Sequence, residues 1–253
     1  MRGHFIKILV FALVAAAPAV AQELTLDEVI QKNIDARGGA ENWAKVQNMK
    51  ITGKYRSFSE TSPFTVWRKR PDLYRFDLSM LVWDGTICYN GEQYWWIFPR
   101  AGEQFSEPSI TPEPHSHFTL REKRFEPVFW NYKEKGNTVE LLGQADVDGD
   151  PHYKLRVFFP DSTEEFWYLN AETFLETKQE GPMHDFDYQQ YMPMEAFYSD
   201  YREVNGIVLP FLIEQEYAIR YRIIKVENVE INTDLPDDLF VMPKSQSDGA
   251  KSP

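Results

Sequence analysis

Leu26, Val29, Ile30 and Ile34 recur at helical spacing and predict an amphipathic helix near the start of the chain. Thr25 stands three residues before Glu28, the pairing of a capping box, in which side chain and backbone satisfy each other reciprocally. Gly38-Gly39 ends the helix, because glycine accepts the left-handed cap without a Cβ penalty. A short turn carrying Trp43 and Val46 follows. From Met49 the period falls to two. Ile51-Gly53-Tyr55, Phe64-Val66, Tyr74-Phe76-Leu78 and Ile87-Tyr89 alternate with polar neighbours, as half-buried antiparallel strands do. Asp84-Gly85 and Asn90-Gly91 read as tight turns between them.

Gln93 to Phe98 departs from alternation: it is apolar on both faces. Such a strand needs core on one side and a second apolar cover on the other, either helices packed tightly or helices held off by a ligand. The run Pro99 to Pro114 is a loop. A second helical element is expected after it, with Pro127 at the first position, Phe125, Phe129 and Tyr132 on one face and Gly136 closing it. Strands resume over Thr138 to Gln144, Tyr153 to Phe159, Glu164 to Leu169 and Phe174 to Gln179. Three longer ones run over Glu195 to Val204, Ile207 to Tyr217 and Arg220 to Ile231. The sum is about eleven strands and two helical elements, mainly β in an α+β arrangement. Tight turns join most of them, so the sheet is an antiparallel meander that must curve or close to protect its edges.

The first residues stand outside this pattern. Arg2, His4 and Lys7 precede an apolar run from Ile8 to Ala17, and Ala19-Val20-Ala21 supplies a small-x-small cleavage site. Ten apolar residues are half of the roughly 20 that span a bilayer, so the segment reads as a Sec-type signal peptide cleaved between Ala21 and Gln22. The expected organisation is a leader over 1–21, one domain over 22–243 and a polar, disordered tail over 244–253. Export to the periplasm follows.

Charge then narrows the partners. The chain has 27 Lys and Arg against 39 Asp and Glu, a formal charge of −12, and losing Arg2 and Lys7 leaves 25 against 39, or −14. That balance argues against nucleic acid, and against a polyanionic membrane surface as an electrostatic partner. The single cysteine, Cys88, excludes an internal disulfide and any multi-cysteine metal site.

Candidate chemistry is sparse. His115-Ser116-His117 puts two rings on one face, but only His152 and His184 remain after cleavage, both distant in sequence, and zinc wants three or four ligands. Asp146, Asp148 and Asp150 alternate around Gly149, yet Leu155 stands where an EF-hand requires glutamate, so a hairpin turn is the better reading. Asp185 and Asp187 are the sort of carboxylates a glycosidase pairs, but nothing in the spacing brings them together across a substrate. No nucleophile elbow, metalloprotease helix, phosphate loop or dinucleotide fingerprint is present. No catalytic residue, metal or cofactor is therefore expected. The positive signal is aromatic: Trp67, Tyr74, Phe76, Trp83, Tyr89, Trp95, Trp96 and Phe98 crowd the first half. They are either the core of a β-rich domain or the walls of an apolar cavity, and Trp67, Tyr74, Phe76, Trp95, Trp96 and Phe98 are its candidate lining.

Five stretches carry a family resemblance. LDEVIQKNIDARGGAENWAKVQNMKITGKY, FEPVFWNYKEKGNTVELLGQADVDGDPHYKLRV, FWYLNAETFLETK, FYSDYREVNGIVLPF and the closing VENVEINTDLPDDLFVMP resemble periplasmic outer-membrane lipoprotein-sorting proteins of the LolA and LolB carrier fold. The resemblance implies a strongly curved, unclosed antiparallel barrel with helices over a hydrophobic cavity. It also implies a ligand class, the acyl chains of lipoproteins or lipids, with an inner-membrane exporter and an outer-membrane receptor as partners. The expected function is a monomeric, non-catalytic periplasmic carrier. The alternatives are an envelope-stress or outer-membrane assembly factor that binds a protein, and a secreted hydrolase.

Overall fold

The computed structural model describes residues 24–113, 115, 116, 122–185, 188 and 190–245. The expected leader, His117, Asp187 and all but two residues of the expected tail lie outside these. Helix α1 spans Leu26–Ala36, and Thr25 caps it: the Thr25 amide donates to the Glu28 carboxylate at 2.8 Å while the Glu28 amide donates to the Thr25 hydroxyl at 3.4 Å. Its apolar stripe buries Val29 and Ile30. The expected turn carrying Trp43 is a six-residue helix, α2, over Ala40–Lys45.

Six strands follow: β1 Asn48–Ser57, β2 Glu60–Lys69, β3 Leu73–Ser79, β4 Asp84–Tyr89, β5 Tyr94–Ile97 and β6 Ser109–Ile110. Seven more complete the described chain: β7 Thr138–Val147, β8 Asp150–Phe158, β9 Glu164–Asn170, β10 Glu176–Asp185, β11 Gln190–Val204, β12 Ile207–Tyr217 and β13 Arg220–Ile231. All thirteen form one antiparallel sheet in the order β6-β5-β4-β3-β2-β1-β13-β12-β11-β10-β9-β8-β7. Two meanders thus meet where β1 pairs with β13, Met49 opposite Ile231. The sheet is curved and unclosed, with β6 and β7 at its two edges.

Between those edges in the chain, residues 122–137 lie over the inner face. Over Pro127–Gly136 they form a run of turns rather than the expected helix. The reason is local: Asn131 is left-handed at φ 50°, and Val128, Phe129 and Trp130 are buried in succession, which an amphipathic helix does not allow. We call this segment the strap.

α1 is fixed at its C-terminus. Arg37 donates from Nε to the Val208 carbonyl at 2.8 Å and accepts at its own carbonyl from the Val208 amide at 2.9 Å. Gly38, at φ 99°, lies so close that a Cβ would stand 2.2 Å from the Gly206 carbonyl oxygen. Any side chain there would force the helix off the β11–β12 turn. No helix among the described residues is long and apolar enough to cross a membrane.

Candidate functional site

The inner face carries two apolar areas. In the first, Phe64 and Val66 of β2 and Tyr74 and Leu78 of β3 meet Trp43 of α2 and Phe125 and Trp130 of the strap. In the second, Leu155, Val157, Trp167 and Leu169 of β8 and β9 meet Val29 and Ile30 of α1 and Val128 and Phe129 of the strap. The strap residues therefore occupy the space between helices and sheet. Among the described residues, the chain's own side chains pack against both areas. Two grooves, of about 280 Å³ over β2–β4 and about 660 Å³ over β9–β11, are lined by none of the six expected residues.

Charged side chains hold the strap. Arg70 donates to the Val46 carbonyl at 2.7 Å, to the Trp43 carbonyl at 3.0 Å and to the Glu126 carboxylate at 2.5 Å, and its guanidinium lies 4.8 Å from the Phe125 ring centroid. One cation thus joins β2, α2 and the strap. Arg124 donates twice to Glu165, at 2.8 and 3.0 Å, and the Trp167 indole donates to the same carboxylate at 3.0 Å. Glu165 is wholly buried, so these bonds replace the water it has lost. Arg68 donates to the Glu122 carbonyl at 2.9 Å. Burial raises the Glu122 carboxyl above its ordinary value, and Arg68, Arg124 and Arg222 oppose the shift.

The six expected residues divide between the two faces. Tyr74 is buried, and Phe76 packs beside it on the inner face, 6.1 Å from Phe64 between centroids. Trp96 is buried with Phe98 stacked on it at 5.4 Å and the His115 ring at 5.5 Å. Trp67 and Trp95 lie on the outer face instead, with Leu235, Leu239 and Phe240 of the closing segment over them. The Trp95 indole donates to the Phe240 carbonyl at 2.8 Å. The second apolar cover of Gln93 to Phe98 is therefore this segment, which forms a 3-10 helix over Asp237–Phe240.

Other candidate groups resolve similarly. His184, distant in sequence, lies with its ring centroid 5.0 Å from that of His115. Asp185 is buried in an ion pair with Arg220. Among the described residues no three His, Cys, Asp or Glu side chains converge as metal ligands do. Asp146 accepts from the Gly149 amide at 3.0 Å, the bond of a hairpin turn. Cys88 is buried, and burial pushes its thiol up to about 12. A thiol so shifted is a packing group.

The charged half of the inner face was not singled out from the sequence, although β9 shows it. Glu165, Trp167 and Leu169 share one side of that strand, and a carboxylate in such a row requires a buried partner. The partner, Arg124, comes from the strap, which no periodicity locates.

No family model matches the chain, and no curated protein matches it. Solved structures do. A LolA superfamily protein from Nitrosomonas europaea superposes with a TM-score of 0.57 at 14% identity, over 87% of this chain and 98% of that one. A DUF1329 family protein from Desulfovibrio piger gives 0.56 at 14% identity, over 85% and 97%. A domain named for outer membrane lipoprotein sorting, from Vibrio parahaemolyticus, gives 0.54 at 11% identity, over 84% and 94%. At these identities the likeness is one of architecture: one curved, unclosed sheet with helices on its inner face, the LolA-like fold.

Proposed function

We propose that the chain is a periplasmic carrier that shelters acyl chains of lipids or lipoproteins on the inner face of the sheet, without a catalytic step. The observation that carries this reading is the strap. The inner face is covered by a few separate segments, α1, α2 and the strap, rather than by a second sheet. Displacing Phe125, Val128, Phe129 and Trp130 would open an apolar surface between β2–β3 and β8–β9, with no ladder hydrogen bonds to break. Shielding an acyl chain contributes about 0.8 kcal/mol for each buried CH₂, so a long chain repays the lost strap contacts.

The carrier acts as a monomer after cleavage between Ala21 and Gln22, receiving cargo from an inner-membrane exporter and yielding it to an outer-membrane receptor. The experiment is titration of the exported protein with a fluorescent fatty acid, alongside variants Phe129→Ala and Trp96→Glu. Saturable binding, altered by Phe129→Ala and lost in a folded Trp96→Glu, supports the carrier. A stable protein complex free of lipid would instead favour an assembly or stress factor. Turnover abolished by one carboxylate or histidine substitution would favour a hydrolase.

A further inference from the structure

Arginines on the inner side of the sheet come with carboxylates. Arg37 bonds Glu176 at 2.8 Å, Arg70 bonds Glu126 at 2.5 Å, and Arg124 holds Glu165 through two bonds. Arg220 is paired with Asp185. Arg68 and Arg222 break this pattern.

Arg222 of β13 shares its side of the strand with Ile224 and Val226, which belong to the first apolar area. Arg68 of β2 shares its side with Phe64 and Val66 of the same area. The Arg222 side chain makes no ion pair or hydrogen bond among the described residues, and its Nε is buried. The rings of Tyr217 and Tyr55 lie 4.5 and 5.9 Å from its guanidinium, contacts that leave the N–H donors without an acceptor. Arg68 gives one donor to the Glu122 carbonyl at 2.9 Å, and its Nε is likewise buried with no acceptor. Buried donors without acceptors are uncommon in a folded chain and are costly to leave so.

The surroundings are positive. Burial raises the Glu122 carboxyl, and Arg68, Arg124 and Arg222 oppose that shift, so three guanidinium groups bear on one carboxyl. Arg124 is already engaged by Glu165, which leaves Arg68 and Arg222 to Glu122. At Arg220, two positions along β13, burial lowers the pKa and the like charges of Arg222 and Arg100 lower it further. A chain of formal charge −12 thus gathers cations inside its sheet.

We infer that Arg68 and Arg222 receive the anionic head of a lipid, a carboxylate or a phosphate, in the place where the Glu122 carboxyl now stands. The inference rests on the acyl-binding reading and narrows it to acidic amphiphiles. Phe64, Val66, Ile224 and Val226 continue from the two arginines on the same sides of their strands, so one surface takes both head and chain. Planar guanidinium groups match the paired oxygens of carboxylate and phosphate. Glu122 belongs to the strap. A strap displaced by an acyl chain carries that carboxyl away, and the head then supplies the negative charge the arginines lack. The acyl groups of a lipoprotein are held by esters and an amide, which bring no charge to this place. Fatty acids and phospholipids are therefore the favoured cargo.

The test is calorimetric titration of the exported, delipidated protein at neutral pH with dodecanoate, dodecyl phosphate, dodecanol and inorganic phosphate. These probes share either the chain or the head. Wild type should bind both acids roughly tenfold or more tightly than the alcohol, and inorganic phosphate far more weakly than dodecyl phosphate. Arg222→Gln and Arg68→Gln should each cut that preference several-fold. Arg222→Gln should do so without lowering the unfolding temperature, because no hydrogen bond within the fold depends on its side chain. Glu122→Gln should strengthen acid binding, since the strap then brings no competing charge. Arg202→Gln, from an exposed pair with Asp200, is the control and should leave the preference unchanged. A wild type that binds dodecanol as tightly as dodecanoate would overturn the inference and leave the acyl reading standing. A preference that survives both arginine changes, or inorganic phosphate that binds as tightly as dodecyl phosphate, would do the same. A wild type that binds none of the chains would end the acyl reading, and this inference with it.

Discussion

Glu165 is the buried inner-face carboxylate that depends most on its cation, Arg124. Replacing Arg124 with Met would strip two charge-assisted bonds from that buried carboxylate, at a cost of about 3 kcal/mol. Chemical unfolding of Arg124→Met should show that loss, and adding Glu165→Met should recover most of it. Trp95 and Trp96 are adjacent but answer to different partners. Trp95→Phe removes the bond to the Phe240 carbonyl and should cost about 1 kcal/mol without altering fatty-acid binding. Trp96→Glu puts a charge on the other face and should abolish that binding. His115 supplies the pH dependence. Burial lowers its pKa below the ordinary 6.5, and the neighbouring His184 lowers it further. The unfolded chain then binds more protons than the folded one just below pH 6.5, so stability falls as pH falls through that window. Urea midpoints measured between about pH 5 and 7 should decline toward acid, and His115→Gln should flatten the slope. The aromatic residues were visible in the sequence, but their division between inner and outer faces was visible only as alternation. Trp95 and Trp96 had to face apart, and nothing local said which faced inward.

Among the elements, α1 and the long strands were legible because one repeating pattern specifies each of them. Thr25 and Glu28 mark the start of α1, and Thr25→Ala should cost about 1 kcal/mol, read as a drop in the unfolding midpoint. β6 escaped notice because two residues show no period. The strap was misjudged for a different reason. Pro127 and Gly136 are helix-boundary residues, but Asn131 turns left-handed between them and the successive buried residues follow the space available between α1, α2 and the sheet. Tertiary packing sets that path, and local propensity does not. The apolar second face of β5 was a sound reading of the pattern, and its cover came from Leu235 to Met242, far away in sequence.

At the scale of the molecule, a curved sheet was legible from the number of strands and the shortness of their turns, whereas the way its two meanders join was not. The pairing of β1 with β13 joins residues about 180 positions apart in the chain, as Met49 with Ile231 shows, and no turn signal announces it. The same pairing places the strap across the inner face, since it leaves β6 and β7 as edges that one connection must span. Carrier function then depends on whether that strap gives way to an acyl chain. Native mass spectrometry of the protein purified from the periplasm addresses this most directly, because it weighs the folded chain together with whatever it holds. The account predicts a species beginning at Gln22 that carries a lipid or lipoprotein adduct, stripped by organic solvent and restored by added fatty acid. A chain that is lipid-free as isolated and takes up no acyl ligand afterwards would contradict it.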